Sequence, residues 1–265
     1  MTGVEKQIPF DDDVWELYDG SKDWTQAHDL AKEMPDKLRE LQRLWLIEAA
    51  RYNVLPIDDR SFERVVPEIA GRPSLVQGRS QLLYAGMGRL PENVVLDVKN
   101  KSFTVTAAVD VPNKGAEGVV IAQGGRFGGW SLQATHGNAK FVYNLCGLRT
   151  FEVEAGESLP PGRHELRAEF AYDGGGLAKG GTVSLYYDGT TVGQGRVEQT
   201  IPFAFSGDET MDIGHDTGTP VSADYAPHDG TFTGTIEWVQ IETGKIAADQ
   251  EVPAEERIRV ALVRQ

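Results

Sequence analysis

The side chains best suited by type and spacing to chemistry are acidic: Asp208, Glu209, Asp212, Asp216 and Asp224. All five fall in one connection between Phe205 and an apolar run beginning near Phe232. Carboxylate oxygens suit hard cations, so calcium held by Asp208, Asp212 and Asp216 is one expectation, although the spacing follows no standard calcium loop. A connection this long in a compact domain is functional or held down by something, so structural packing is the other. A second candidate is Arg126-Phe127-Gly128-Gly129-Trp130. Aromatic faces and glycines that permit close backbone approach suit a sugar, with Arg126 and Trp130 as the candidate contacts. Trp130 also opens a predicted strand, so a core position competes with ligand contact. Tyr172-Asp173-Gly174-Gly175-Gly176 has the composition of a phosphate cradle, but it lies between strands. Without helix-end amides to hold an anion, it reads as a hairpin tip.

The remaining polar residues form no catalytic pattern. His28, His136, His164, His215 and His228 are scattered, without the H-x-x-x-H or H-E-x-x-H spacing of a metal helix. No G-x-S-x-G elbow marks a serine nucleophile. Asp11-Asp12-Asp13 reads as solvated charge in an exposed leader. The single cysteine, Cys146, excludes an internal disulfide and any multi-cysteine metal site, and reads as a small apolar residue at a strand edge.

These residues must be positioned by a chain of 265 residues with 40% hydrophobic and 25% charged side chains, ordinary for a globular protein with a packed core. A formal charge of −14 argues against nucleic acid, whose phosphates would be repelled. The first twenty residues hold no apolar run, so neither a signal peptide nor a membrane span is expected, and a cytoplasmic location is the default. Val14 to Tyr18 reads as a short strand. Pro35 then opens a helix in which Leu38, Leu41, Trp45, Ala49 and Tyr52 recur at three- and four-residue steps. Lys37, Arg39, Glu40 and Arg43 fall on its other side, and Asn53 and Pro56 end it. One strand and one helix cannot bury that stripe alone, so this segment must pack on something larger.

From about Gly78 the pattern changes to short alternating runs between glycine-rich turns. Strands are predicted at Asn93–Val98, Phe103–Val109, Val119–Ala122, Trp130–Ala134, Phe141–Leu145, His164–Tyr172, Val183–Tyr187 and Phe232–Ile241. Asp188-Gly189 reads as a hairpin turn. Many strands without long helices between them predict a mainly β protein, an antiparallel sandwich of concanavalin-like or jelly-roll type. The expected organisation is a strand and helix in 1–60, a linker in 61–77, the sandwich in 78–245 and a tail in 246–265. Pro253-Ala254-Glu255-Glu256 is expected to open a short helix in that tail.

Trp15-Glu16-Leu17-Tyr18-Asp19, Asp23-Trp24-Thr25-Gln26-Ala27-His28-Asp29-Leu30-Ala31 and the Pro35 helix resemble the closing segment of the sulfatase fold. Three further stretches resemble the additional C-terminal module of a long arylsulfatase subfamily. They are Gly124 to Leu132, Phe170 to Gly181, and Asp212-Ile213-Gly214-His215-Asp216-Thr217-Gly218-Thr219-Pro220-Val221. The resemblance runs from about Asp11 to the end of the chain. Full family members place a large α/β, alkaline-phosphatase-like domain before this point, whereas here Met1 to Phe10 precede it.

The resemblance implies a sulfuric ester hydrolase ancestry. That family's nucleophile is a formylglycine made from Cys or Ser in a [C/S]-x-[P/A]-x-R context, working beside a divalent cation. Cys146-Gly147-Leu148-Arg149-Thr150 and Ser158-Leu159-Pro160-Pro161-Gly162 both fail that pattern. Asp11-Asp12-Asp13-Val14 and Asp58-Asp59-Arg60-Ser61 lack the glycine of the family's Asp-Asp-x-Gly metal motif. No catalytic residue is therefore assigned, and the chain alone is expected to be inactive and without a cofactor, calcium being possible in the parent family. The expected partner is a sulfatase catalytic domain, in cis or from a split gene, or a second copy in a homo-oligomer. Apolar surface is then expected between Val14 and Tyr52, with Trp15, Tyr18, Leu30 and Trp45 on it. The competing expectation is a stand-alone glycan-binding sandwich.

Overall fold

The computed structural model describes residues 12–55, 57, 75–76, 78–227 and 229–244. Asp11, Asp58, Asp59, His228, most of the predicted linker 61–77 and the predicted tail helix lie outside the described residues. The chain divides into two compact units between Ser61 and Phe62. No helix among the described residues is long and apolar enough to cross a membrane.

In the first unit, Val14 to Tyr18 pairs with no strand among the described residues. Side-chain and loop groups hold it instead: the Leu17 amide donates to Asp29 Oδ1 (2.9 Å) and the Leu17 carbonyl accepts from the Leu30 amide (2.8 Å). The helix α1 spans Pro35–Arg51, with Pro35 at its start, Asp36 in the first turn and Arg51 in the last, as its dipole favours. Asn53 adopts a φ of +55°, and the Val54 amide reaches back to the Ala49 carbonyl (2.8 Å), a Schellman closure that stops the helix. Trp45 packs edge-on against Trp15, with ring centroids 5.7 Å apart. Among the apolar residues described in this unit only Leu17 and Ala49 are buried. Leu44 and Ile47, on the side of α1 opposite Trp45 and Ala49, are exposed.

The second unit is an antiparallel β-sandwich. Eleven strands are described: β1 Ser80–Leu83, β2 Phe103–Val111, β3 Gly118–Gly125, β4 Gly128–Thr135, β5 Asn138–Leu145, β6 Arg149–Ser158, β7 Gly162–Tyr172, β8 Gly181–Tyr187, β9 Thr190–Val197, β10 Met211–Ile213 and β11 Thr235–Thr243. One sheet has the order β1-β11-β2-β7-β8-β9, the other β10-β3-β4-β5-β6. Alternation fixes which side faces inward: along β2, Phe103, Val105, Ala107, Val109 and Val111 are buried while the residues between them are not. Phe103, Trp130, Phe141 and Phe170 meet between the sheets at centroid distances of 5.3 to 6.5 Å.

The strand set differs from the sequence reading in several places. Asn93 to Val98 is no strand; after a single 3-10 turn at Glu92–Val94 its backbone is captured by side chains, the Leu96 amide donating to Gln81 Oε1 (2.7 Å). Its apolar residues Val95, Leu96 and Val98 are buried all the same. β1, β6, β9 and β10 are additional strands, β9 following the Asp188-Gly189 turn that the sequence marked. Phe232 precedes β11 rather than opening it.

Along one flank the sheets close on each other where β6 meets β9. Gly193 makes this approach possible: a β-carbon there would lie 2.6 Å from the Glu154 carbonyl oxygen. Along the other flank β10 forms a bridge to Leu90, so the chain after β1 covers that edge of the five-stranded sheet.

Candidate functional site

The long acidic connection crosses the outer face of the five-stranded sheet and buries it. Alternation along β3, β4, β5 and β10 turns Ala122, Ser131, Gln133, Lys140, Val142, Asn144 and Asp212 away from the core. All seven are nonetheless buried. Val221 and the Tyr225 ring form a small apolar cluster with Val119, Ala122 and Val142. The Gly214 amide donates to the Val120 carbonyl (2.9 Å) and the Val119 amide to the Gly230 carbonyl (2.8 Å), pinning both ends of the crossing.

The acids provide the polar half of this attachment. Asp212 Oδ1 accepts from the Arg89 amide (2.6 Å), and its Oδ2 accepts from the Thr217 amide (3.0 Å) and hydroxyl (2.8 Å). Asp216 Oδ2 accepts from the Tyr225 hydroxyl (2.7 Å) and the Val221 amide (3.3 Å). Burial pushes the Asp216 carboxyl above its usual range, against the pull of those donors. Burial likewise pushes the Tyr225 hydroxyl up, with Asp216 adding to the effect. Glu209 Oε1 accepts from the Thr219 hydroxyl (2.6 Å). Asp224 meets Lys140 Nζ at 2.9 Å and accepts from Ser222 (2.8 Å) and Gln133 (2.6 Å). Glu152 completes a three-residue bridge, 2.7 Å from the same ammonium.

Asp208, Asp212 and Asp216 are therefore not brought together as a ligand set. Asp208 is exposed and pairs with Ser206 at the start of the connection, and Asp212 and Asp216 accept hydrogen bonds from donors of the chain itself. No three His, Cys, Asp or Glu groups gather as metal ligands among the described residues. The histidines are equally separate. His28 meets Glu33 (3.2 Å), His164 meets Asp188 (2.6 Å), His215 Nδ1 lies 3.1 Å from the Ile213 carbonyl, and His136 sits in the exposed turn between β4 and β5.

Trp130 is fully buried, and its indole N–H donates to Gln123 Oε1 (3.0 Å). The ring stacks on Phe141 and meets Phe103, so it has no face for a sugar. The exposed aromatic of that stretch is instead Phe127, which with Arg126 forms the two-residue turn between β3 and β4 and is 71% exposed. The signal was present: paired glycines on both sides of Arg126-Phe127 mark a tight hairpin. Gly124 and Gly129 are obligatory there, at φ of +83° and +156°, because the facing backbone leaves no room for a β-carbon. Cys146 is also not the packed strand residue expected. It occupies the turn between β5 and β6 at a φ of +54°, followed by Gly147 at +68°, and is exposed. Both positive angles and the Leu148 amide donating to Leu145 (2.9 Å) describe a type I′ turn.

No protein-family model and no curated protein sequence matches the chain. Among solved structures it is similar to the CBM40 of Ruminococcus gnavus IT-sialidase bound to α2,6-sialyllactose, at 13% identity and a TM-score of 0.40, covering 71% of this chain and 99% of that one. A native heptameric SAP-like pentraxin from Limulus polyphemus gives 11% identity and a TM-score of 0.36, covering 69% and 82%. Domains LG4-5 of the mouse laminin α1 chain give 19% and 0.35, covering 64% and 40%. Likenesses this remote say nothing about function.

Proposed function

We propose that this chain is a non-catalytic accessory module which, in a longer protein of the arylsulfatase type its sequence resembles, packs against the catalytic domain through the first unit. The observation that supports this is the uncovered apolar surface of that unit. Leu41, Leu44, Leu46 and Ile47 of α1 are exposed, as are Val14 and Trp24, the last at 85%. A helix apolar on both sides is normally covered on both. Arg39, Arg43 and Glu40 rim the shallow depression over Leu44 and Ile47, giving the polar border typical of a contact surface. The acids of the long connection bind amides, hydroxyls and a lysine of the chain itself.

The test is turnover of a chromogenic aryl sulfate by the purified chain, with mass spectrometry of Cys146 and Ser158. No hydrolysis above buffer and unmodified side chains are expected; measurable hydrolysis or a formylglycine overturns the proposal. An upstream reading frame encoding Cys-x-Pro-x-Arg would add support, and its absence would count against the arylsulfatase part.

A second reading, a glycan-binding sandwich, is favoured by one observation: the Arg126-Phe127 turn presents an exposed aromatic ring beside a cation. A glycan array followed by calorimetry, with and without calcium, tests it, and binding to no glycan ends it.

A further inference from the structure

We infer that two adjacent hairpin tips, Arg126-Phe127 between β3 and β4 and Cys146 to Arg149 between β5 and β6, form one surface that takes an anionic saccharide. The inference rests on the glycan-binding reading and narrows it to a ligand class. The tips touch: a β-carbon at Gly147 would lie 2.9 Å from the Arg126 carbonyl oxygen and 3.9 Å from the Phe127 ring. Asn144, buried beneath them, locks the pair. Its Nδ2 donates to the Gly125 (3.2 Å) and Arg126 (3.0 Å) carbonyls, and its Oδ1 accepts from the Gly147 amide (2.9 Å). The surface is thus held in place before any ligand arrives, which lowers the ordering cost of binding.

Phe127 and Leu148, the latter 87% exposed, provide apolar faces, and their chain neighbours Arg126 and Arg149 are exposed as well. Arg149 lies over the Phe151 ring, its guanidinium 4.9 Å from the centroid. In a chain of formal charge −14 this end gathers two cations, and Glu209, the acid packed behind the first turn, has its carboxylate engaged by Thr219. Charge complementarity therefore selects an anion. Two apolar side chains are far too little for a stable protein interface, which needs about 800 Å² from each partner. They suffice to stack one or two sugar rings.

Calorimetry with the full chain would compare a heparin hexasaccharide, a hyaluronan hexasaccharide and uncharged cellohexaose at low and high salt. Binding of the anionic probes, weakened by salt, is expected, with no binding of cellohexaose. Heparin alone binding identifies sulfate as the recognised group; both binding identifies the carboxylate as sufficient. R126A/R149A should weaken binding about tenfold and F127A roughly fivefold. R163A, at an exposed arginine elsewhere, should change nothing, and circular dichroism checks that each variant is folded. Equal binding of cellohexaose, indifferent to the arginines, overturns the inference and leaves the glycan reading standing. Equal binding of polyglutamate also overturns it. Binding of none of the saccharides overturns both.

Discussion

Replacing Lys140 by methionine tests whether the acidic connection is fastened by charge. The Lys140 side chain is 9% exposed and its ammonium lies 2.9 Å from Asp224 and 2.7 Å from Glu152. Removing one partner of a fully buried pair costs about 3–5 kcal/mol, because the other charge stays desolvated. Glu152 is about half exposed and can rehydrate, so most of the cost falls on the Asp224 arm. A loss of about 2 kcal/mol is expected for K140M, a fall in Tm of roughly 4–8 °C for a unit of this size. The pH dependence has a definite sign. For Asp224 burial works upward, but hydrogen bonds from Lys140 and Ser222 hold the carboxyl below its usual 3.8. For Lys140 burial works downward, but Glu152 and Asp224 hold the amine above its usual 10.5. A depressed carboxyl stabilises fully above its unfolded value and ceases to as pH falls through the folded one. A raised amine stabilises fully below its unfolded value and ceases to as pH rises through the folded one. The wild-type advantage should therefore be flat from about pH 5 to about pH 9 and shrink as pH falls below 3.8. Urea unfolding followed by tryptophan fluorescence at neutral and acid pH measures it. A neutral-pH cost under about 0.5 kcal/mol refutes the reasoning, as does a cost that persists undiminished in acid.

W130A should lose about 3–5 kcal/mol in the same assay, as expected for a fully enclosed aromatic; a loss near zero would place the ring at the surface. G129A should fail to give soluble folded protein or lose roughly 3 kcal/mol or more, since its methyl would overlap the facing backbone. Y225F leaves the buried Asp216 carboxyl without its hydroxyl donor and should cost about 1–3 kcal/mol, with faster hydrogen exchange at the Val119 and Val221 amides. Cys146 should react with Ellman's reagent in native buffer as fast as a free thiol; reaction only after denaturant would contradict its exposure. L44D/I47D should change the stability of this chain by less than about 0.5 kcal/mol while abolishing co-purification with an arylsulfatase catalytic domain.

The sandwich was legible because alternation reports burial on one face, and Phe103 to Val109 shows it without interruption. β6 carries the same signal, Phe151, Val153 and Ala155 alternating with Glu152, Glu154 and Gly156, and is missing from the predicted strands although the pattern is there. β10 is three residues long inside an acidic connection, and only its pairing with β3 makes it a strand. At Asn93–Val98 the apolar run correctly signalled burial, while the partner that captured its backbone, Gln81, is invisible to periodicity. The same limit applies to the acids. Composition marked their connection as held by something, but that its anchors are Tyr225, Thr217, Arg89 and Lys140 follows only from the fold. Exposure of Leu44 and Ile47 was hidden because Lys37, Arg39, Glu40 and Arg43 made that side of α1 read as polar.

The glycine-lined meeting of β6 and β9 has a consequence for how the protein behaves when crowded. Strand edges are where sheets recruit foreign chains, and backbones packed this closely leave an incoming strand little room to approach β6 or β9. On the opposite flank β10 is already bridged by Leu90, which leaves the four residues of β1 as the outermost strand there. Among the described residues strand addition therefore meets a crowded flank on one side and a four-residue edge on the other, so concentrated solutions of the intact sandwich should resist fibril formation.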